Sequence, residues 1–251
     1  MRTIAIIQAR MLSTRLPGKI MKQVVNKPLL EYQINQLRRA KTIDQLVIAT
    51  TTNAAEQPII DLCTRLSVDY FRGPEEDVLS RYYEAACHYG AETVVRLTSD
   101  CPLLDPAVVD EAVSEFLSNP EAYDYVSNTL ERTYPRGYDV EVFSMKVLEQ
   151  AYKHAAQPAE REHVTPYLYQ HPELFRLGQV KQVNDFSSYR ITVDTKEDFE
   201  LIARLITALS GKGTEQFTLD AVVSILQEHP EWASINAHIE QKNTNIIRES
   251  Q

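Results

Sequence analysis

Ile4-Ala5-Ile6-Ile7-Gln8-Ala9-Arg10-Met11-Leu12-Ser13-Thr14-Arg15-Leu16-Pro17-Gly18-Lys19 is the stretch that decides the fold. It starts with an unbroken apolar run of strand length, the pattern of a strand covered on both faces. At Gln8 the pattern stops, and Arg10 to Lys19 then holds three cations, two hydroxyls and a Pro-Gly pair. A buried strand feeding a basic, hydroxyl-bearing loop and then a helix is how α/β folds present a polyanion site at the carboxyl edge of the sheet. Any one of Arg10, Arg15 and Lys19 would pass as a solvated surface charge. Their crowding into one short connection beside a strand end favours the anion site.

Outward from this strand, strand and helix periods alternate. Leu30, Ile34 and Leu37 fall at helical spacing behind Pro28, which suits a first turn. Residues 46–49 read as a second buried strand, and Asn53 as the N-cap of a helix carrying Ile59, Ile60, Leu62 and Leu66. A short strand at 68–71 precedes Gly73-Pro74-Glu75-Glu76-Asp77, which is predicted to open a helix with its proline and acids in the first turn. The next buried strand, 94–97, runs into Thr98-Ser99-Asp100-Cys101-Pro102. Asp105-Pro106 then caps a helix bearing Val108, Val109, Ala112, Val113 and Phe116. Strand and helix repeated in this way predict an α/β fold with a mostly parallel sheet and helices on both faces.

Beyond residue 120 the regularity loosens. Short strands are predicted at 124–127 and 139–143 around the turn-forming Tyr134-Pro135-Arg136-Gly137, and helices at 146–154 and 161–169. Strands at 177–183 and 190–193 are predicted to pair antiparallel. Asp194-Thr195 heads a helix with Phe199, Ile202, Ile206 and Leu209, and Thr195 with Asp198 resembles a capping box. Gly211-Lys212-Gly213 reads as a loop, Thr218 as the start of the last helix, and 241–251 as a frayed polar tail. With no repeat or linker, 1–240 is predicted to be one domain, in which about 123–190 forms a substrate or dimerisation subregion.

The 251 residues are 43% hydrophobic and 24% charged, an ordinary globular balance. The net charge of −9, without a basic run, argues against nucleic-acid and membrane-surface partners and makes the basic loop a local exception. Cys63, Cys87 and Cys101 have no metal-type spacing and leave one thiol over in any disulfide scheme, as in a reducing cytoplasm. No secretory leader and no membrane-length apolar run is read. Gly-x-Gly-x-x-Gly, the P-loop and Gly-x-Ser-x-Gly are all missing, which argues against dinucleotide enzymes, P-loop ATPases and the serine-elbow hydrolases. With seven glycines in the chain, phosphate gripping must lean on side chains.

Two acids stand out by position. Asp100 lies just past a buried strand and Asp194 closes another, and strand ends at one edge of a parallel sheet converge on one crevice. Carboxylates facing a basic loop across it suit Mg²⁺, which takes one or two carboxylates and completes its shell with phosphate oxygens and water. Asp194 also reads as the cap of the helix that follows, and Asp100 as a turn residue before Cys-Pro. Arg96, inside an apolar strand, calls for a structural ion pair. Arg72 at a strand end is either a ligand contact or a charged turn residue. Taken alone, Arg136, Asp139 and Glu141 form a polar hairpin facing solvent, and Glu162-His163, which is no metal motif, a surface or interface pair.

The residues from Ala9 to Lys19 resemble the N-terminal signature of the cytidylyltransferases that activate acidic sugars, the CMP-KDO and acylneuraminate synthetases. Ser99-Asp100-Cys101-Pro102-Leu103 is similar to that family's Gly-Asp-x-Pro-Leu metal site, and Val193-Asp194-Thr195-Lys196-Glu197-Asp198 to its Val/Ile-Asp-Thr-x-Glu-Asp motif. Pro135 to Phe143 and Arg161 to Tyr167 are similar to the branch of the spore-coat polysaccharide protein SpsF. The resemblance implies a three-layer α/β/α sandwich of the nucleotide-diphospho-sugar transferase (glycosyltransferase-A-like) fold, CTP and a small sugar as substrates, Mg²⁺ and a homodimer. It places Gln8, Ala9, Arg10, Ser13, Lys19, Arg72 and Thr98 at the nucleotide, and Asp100 and Asp194 at the metal. Arg10, Arg15 and Lys19 would carry catalysis by steadying the triphosphate; Arg136, Asp139 and Glu141 are candidates for the substrate, a role the resemblance itself does not carry. Ser99-Asp100-Cys101 departs from the family's Gly-Asp-Glu, and 134–143 departs from the KDO and sialic acid segments, so the sugar's identity does not carry over. The rival readings are a glycosyltransferase, whose usual Asp-x-Asp is missing after the fourth strand, and a non-catalytic nucleotide-binding member.

Overall fold

The computed structural model describes residues 1–211 and 217–240. Its main sheet has seven strands: β1 (Thr3–Gln8), β2 (Gln45–Thr51), β3 (Asp69–Gly73), β4 (Thr93–Thr98), β5 (Tyr125–Ser127), β6 (Glu141–Ser144) and β7 (Leu177–Gln179). They lie in the order β3-β2-β1-β4-β6-β5-β7. β6 runs antiparallel to both of its neighbours and every other pairing is parallel. The sheet is thus mixed and mostly parallel.

The apolar run of β1 follows from its central place. Side chains alternate across a strand. Ile4 and Ile6 enter a core with Val47, Leu79, Tyr82 and Phe143, and Ala5 and Ile7 a second core with Ile34, Ile48, Val95 and Leu97. Helices α3 (Val78–Tyr89) and α5 (Met145–His154) cover the first face, joined by the short α6 (Pro158–His163) and α7 (Pro166–Tyr169). The second face is covered by α1 (Leu29–Leu37), α2 (Gln57–Leu66), α4 (Pro106–Ser118), α8 (Lys196–Gly211) and α9 (Leu219–Glu228). The result is the expected three-layer α/β/α sandwich.

The structure redraws several local expectations. β7 pairs parallel with β5, and no strand forms at 190–193. There the backbone divides its bonds between two segments: Ile191 N–H donates to the Arg136 carbonyl (2.7 Å) and Val193 N–H to the Asp100 carbonyl (2.9 Å), so no ladder propagates. The approach to Arg136 requires a glycine next to it. Gly137 has φ +102°, and a Cβ there would fall 2.2 Å from the Ile191 carbonyl oxygen.

The helix predicted from Gly73-Pro74 starts instead at Val78. Gly73 stays in β3 opposite Thr51, and Asp77 is the N-cap, accepting the Ser80 N–H at 2.9 Å. The helix predicted over 161–169 is two helices parted at Val164, whose φ is +71°. Pro166 has no N–H to continue the first helix and restricts the residue before it, so the chain restarts there. The predicted solvent-facing hairpin is core: Tyr134, Tyr138 and Val140 are buried. Thr218 does cap α9, but a further short helix, α10 (Pro230–Ala233), follows. Lys212-Gly213 and the predicted tail at 241–251 lie outside the described residues. All three cysteines are unpaired thiols. Among the described residues no helix is long and apolar enough to cross a membrane.

Candidate active site

The site is built at the carboxyl ends of β1 and β4, where Gln8 and Thr98 stand opposite each other in register. The basic loop leaves β1 under three restraints. Ala9 N–H donates to the Ala49 carbonyl (3.0 Å), Gly18 N–H to the Met11 carbonyl (2.8 Å), and Met11 N–H to the Glu56 carboxylate (2.8 Å). Buried Glu56 also accepts the Thr51 hydroxyl at 3.1 Å, so the loop is clamped from the turn before α2. Gly18, at φ +64°, redirects the chain into a single 3₁₀ turn, Lys19–Met21, anchored by buried Ile20. That turn carries the Lys19 ammonium inward.

Lys19 Nζ lies 2.8 Å from Asp194 Oδ1 and 3.3 Å from Asp100 Oδ2. The two acids, far apart in sequence, therefore meet at one point. Asp100 is oriented by the Thr98 hydroxyl, which donates to its Oδ1 at 2.6 Å. Asp194 Oδ2 accepts from Arg15 (2.9 Å) and Arg190 (2.8 Å). Burial is the largest single influence on both, pushing the Lys19 ammonium down and the Asp100 carboxyl up, but the opposing contacts together outweigh it: Asp100 and Asp194 hold Lys19 above its ordinary value, and Lys19, Thr98 and Cys101 hold Asp100 below.

Of the two readings of Asp194, the capping one falls to its neighbours. Thr195 Oγ1 accepts the Asp198 N–H (3.2 Å), and Asp198 Oδ2 accepts the N–H groups of Asp194 (2.9 Å) and Thr195 (3.0 Å). Asp198 in turn holds Arg190 through two hydrogen bonds of 2.8 and 3.0 Å. The Asp194 side chain is left to face the cleft.

Two chambers meet along this line. The first, of about 620 Å³, is bordered by Gln8, Ala9, Arg10, Ser13, Arg15, Lys19, Thr98, Asp100 and Asp194, and also by Arg81 from α3 and by Arg161, Glu162 and His163 from α6. The second, of about 690 Å³, is bordered by Arg132, Arg136, Asp139, Glu141 and Thr165 and shares Gln8, Arg15, Thr98, Asp100, His163 and Asp194 with the first. Arg72 is not brought in: its guanidinium donates to the carbonyls of Thr51 and Asn53, both at 3.0 Å, and ties β3 to the turn after β2. Glu141 borders the second chamber as a buried partner of Arg96, Tyr125 and Thr165, which supplies the ion pair expected for Arg96. Asp139 holds Arg132. The Arg136 guanidinium makes no hydrogen bond or ion pair with a described residue, and burial pulls it below its ordinary value.

Sequence reasoning gave Arg81, Arg161 and Arg190 no role, and it gave Glu162-His163 a surface or interface role, whereas both line the first chamber. The only signal for Arg190 was its spacing to Asp194 and Asp198. Arg161 is placed by contacts distant in sequence, with Asp77, Ser80 and the Tyr152 carbonyl.

The donor set at Lys19 fits a hard divalent cation: two carboxylate oxygens converge on one ammonium, at a point where positive charge is already held. Among the described residues no three metal-ligating side chains converge, so phosphate oxygens would have to complete such a shell.

Known proteins agree with this architecture. The sequence profile of the cytidylyltransferase family matches residues 4–239. A solved cytidylyltransferase from Leptospira borgpetersenii superposes with a TM-score of 0.89 at 32% identity, covering 97% of this chain and 100% of that one. The spore coat polysaccharide biosynthesis protein SpsF of Bacillus subtilis is 32% identical over 91% of this chain and 95% of its own length. The 3-deoxy-manno-octulosonate cytidylyltransferase of Geobacter sulfurreducens is 33% identical over 48% of this chain and 47% of its own. With its basic loop, its paired acids and a profile match along nearly its whole length, this chain belongs to the cytidylyltransferase family and is a nucleotidyltransferase.

Proposed function

We propose that the enzyme transfers CMP from CTP to an acidic or modified sugar with release of pyrophosphate, for surface or spore-coat polysaccharide synthesis. The observation that carries this is the meeting of two chambers at Asp100 and Asp194, since a group passed between two substrates must cross a shared boundary. The first chamber suits the nucleotide: Arg10, Arg15 and Lys19 line it and complement a polyphosphate. The second suits a sugar, and the Arg136 guanidinium there, which has no hydrogen-bond or ion-pair partner among the described residues, suits its carboxylate. Cytosine as the base rests on the family and on the names of its relatives.

In the reaction the sugar hydroxyl attacks the α-phosphorus and the bond to the bridging oxygen of pyrophosphate breaks. Arg10, Arg15 and Lys19 hold the triphosphate in line and offset the charge that gathers on its oxygens. Asp100 and Asp194 would hold Mg²⁺, which when bound supplies further charge neutralisation at the phosphates. A cytoplasmic setting accords with the three free thiols. The homodimer implied by the family resemblance belongs to the same reading, and light scattering checks it.

Thermal melting with each of the four nucleoside triphosphates and Mg²⁺ tests the nucleotide. CTP at 100 times its Kd should stabilise the fold by about 2.7 kcal/mol, a melting rise of roughly 5–10 °C for a chain of this length. Pyrophosphate release from CTP with a panel of acidic sugars then tests the transfer. A shift with another triphosphate and none with CTP would discard the assignment.

A further inference from the structure

We propose that His163 is the general base that takes the proton from the attacking sugar hydroxyl. The proposal rests on the transfer reading above and adds a catalytic residue to it. Six side chains border both chambers: Gln8, Arg15, Thr98, Asp100, His163 and Asp194. The attacking oxygen lies in one chamber and the α-phosphorus in the other, so its proton is released among these six.

Five of them are poor acceptors. An amide and a hydroxyl, Gln8 and Thr98, are too weakly basic, and Arg15 remains a cation. Asp100 already holds Lys19 and the Thr98 hydroxyl, and Asp194 holds Lys19, Arg15 and Arg190. The His163 imidazole makes no hydrogen bond or ion pair with another described residue, and the residue borders both chambers, so no contact within the protein occupies its acceptor nitrogen.

The backbone on both sides fixes where the ring sits. Arg161, two residues earlier, is tied to Asp77 and Ser80 of the α3 N-terminus. Immediately after it, Val164 is fully buried and the Thr165 hydroxyl is bonded to Glu141. The charges acting on the ring are Glu162 on its own helix, Arg96 from β4 and Glu141 from β6, and Arg15, Asp100 and Asp194 border the same two chambers. Burial, helped by Arg96, lowers its affinity for a proton against the opposing pull of Glu162 and Glu141, which leaves it neutral at pH 7.

The step balances. The hydroxyl proton passes to the imidazole nitrogen as its oxygen bonds to the α-phosphorus. Pyrophosphate departs with the electron pair of the broken P–O bond. The imidazolium then returns the proton to solvent through the open cleft.

His163→Asn, with His163→Gln as a second variant of different reach, separates this role from a structural one. Pyrophosphate release from CTP is followed from pH 5 to 8, with 3-deoxy-manno-octulosonate as the first acceptor and other acidic sugars after it. Wild-type kcat/KM should fall in acid with a midpoint below the ordinary histidine value, about 6.5. In both variants that limb should vanish and kcat should drop by about 10²–10⁴-fold. CTP affinity and melting temperature should be preserved, and added imidazole should restore part of the rate. A variant with a near-normal rate, or one that keeps the acid limb, overturns the base assignment alone. Wild-type protein that binds CTP but releases no pyrophosphate with any acceptor overturns the transfer reading, and the base with it.

Discussion

Lys19→Ala is expected to lower turnover by about 10²–10³-fold, the range for removing one preorganised donor to the transition state, while the protein still folds. The side chain is only 12% exposed, and its ammonium is the point at which Asp100 and Asp194 converge. Without it the two carboxylates face each other with less counter-charge, and one of them should take up a proton more readily. The nucleotide also loses a cation for its phosphates. Steady-state pyrophosphate release, with melting recorded in parallel, checks this. A near-wild-type rate would remove Lys19 from the mechanism.

Asp198→Ala should act on stability as well as rate. Asp198 is fully buried and holds Arg190, Asn236 and the backbone N–H groups of Asp194 and Thr195. Arg190 is itself buried, and removing one partner of a buried ion pair costs roughly 3–5 kcal/mol because the other charge loses its compensation. Denaturant unfolding should show a lower midpoint. Turnover should fall too, because the same Arg190 holds the Asp194 carboxylate in the cleft.

The conservative variant Asp198→Asn gives the pH sign. Burial alone would raise the Asp198 carboxyl, but its bonds to Arg190, Asn236 and the backbone outweigh this and hold it below its ordinary value. Its charge therefore stabilises the fold at neutral pH and down past the unfolded value of about 3.9. That stability is lost as pH falls through the lower folded value. The wild-type advantage over Asp198→Asn should be full at pH 7 and close only in strong acid. An advantage that does not change with pH would contradict the ionised role.

The main division of labour in this fold was readable from local patterns. A strand covered on both faces is apolar nearly throughout, so Ile4 to Ile7 announced a buried strand, and Val94 to Leu97 another in which the single charge, Arg96, called for the ion pair that Glu141 supplies. Caps were readable from similarly local chemistry: Asp105 and Thr218 satisfy N–H groups two or three residues away at the helices expected, whereas Asn53 caps a 3₁₀ turn, Ala54–Glu56, that precedes α2. Direction of pairing was not, because apolar alternation is the same in a parallel and an antiparallel strand; β7 was misread on that account. The 134–141 turn was misread because its polar letters concealed that Tyr134, Tyr138 and Val140 point into the core.

By itself, the sequence determined the α/β class, the basic loop after β1 and Asp100 just past the end of β4, since each depends on chemistry within a few residues; Asp194 it singled out as the end of a strand that does not form. Only the tertiary structure decided that Asp194 turns to Lys19 while Thr195 and Asp198 take the cap, that Arg72 holds backbone carbonyls outside the cleft, and that His163 borders both chambers. The physical reason is distance along the chain. Lys19, Asp100, His163 and Asp194 belong to four segments far apart along the chain, and their meeting depends on how the sheet and its two helical layers pack, which no local spacing encodes.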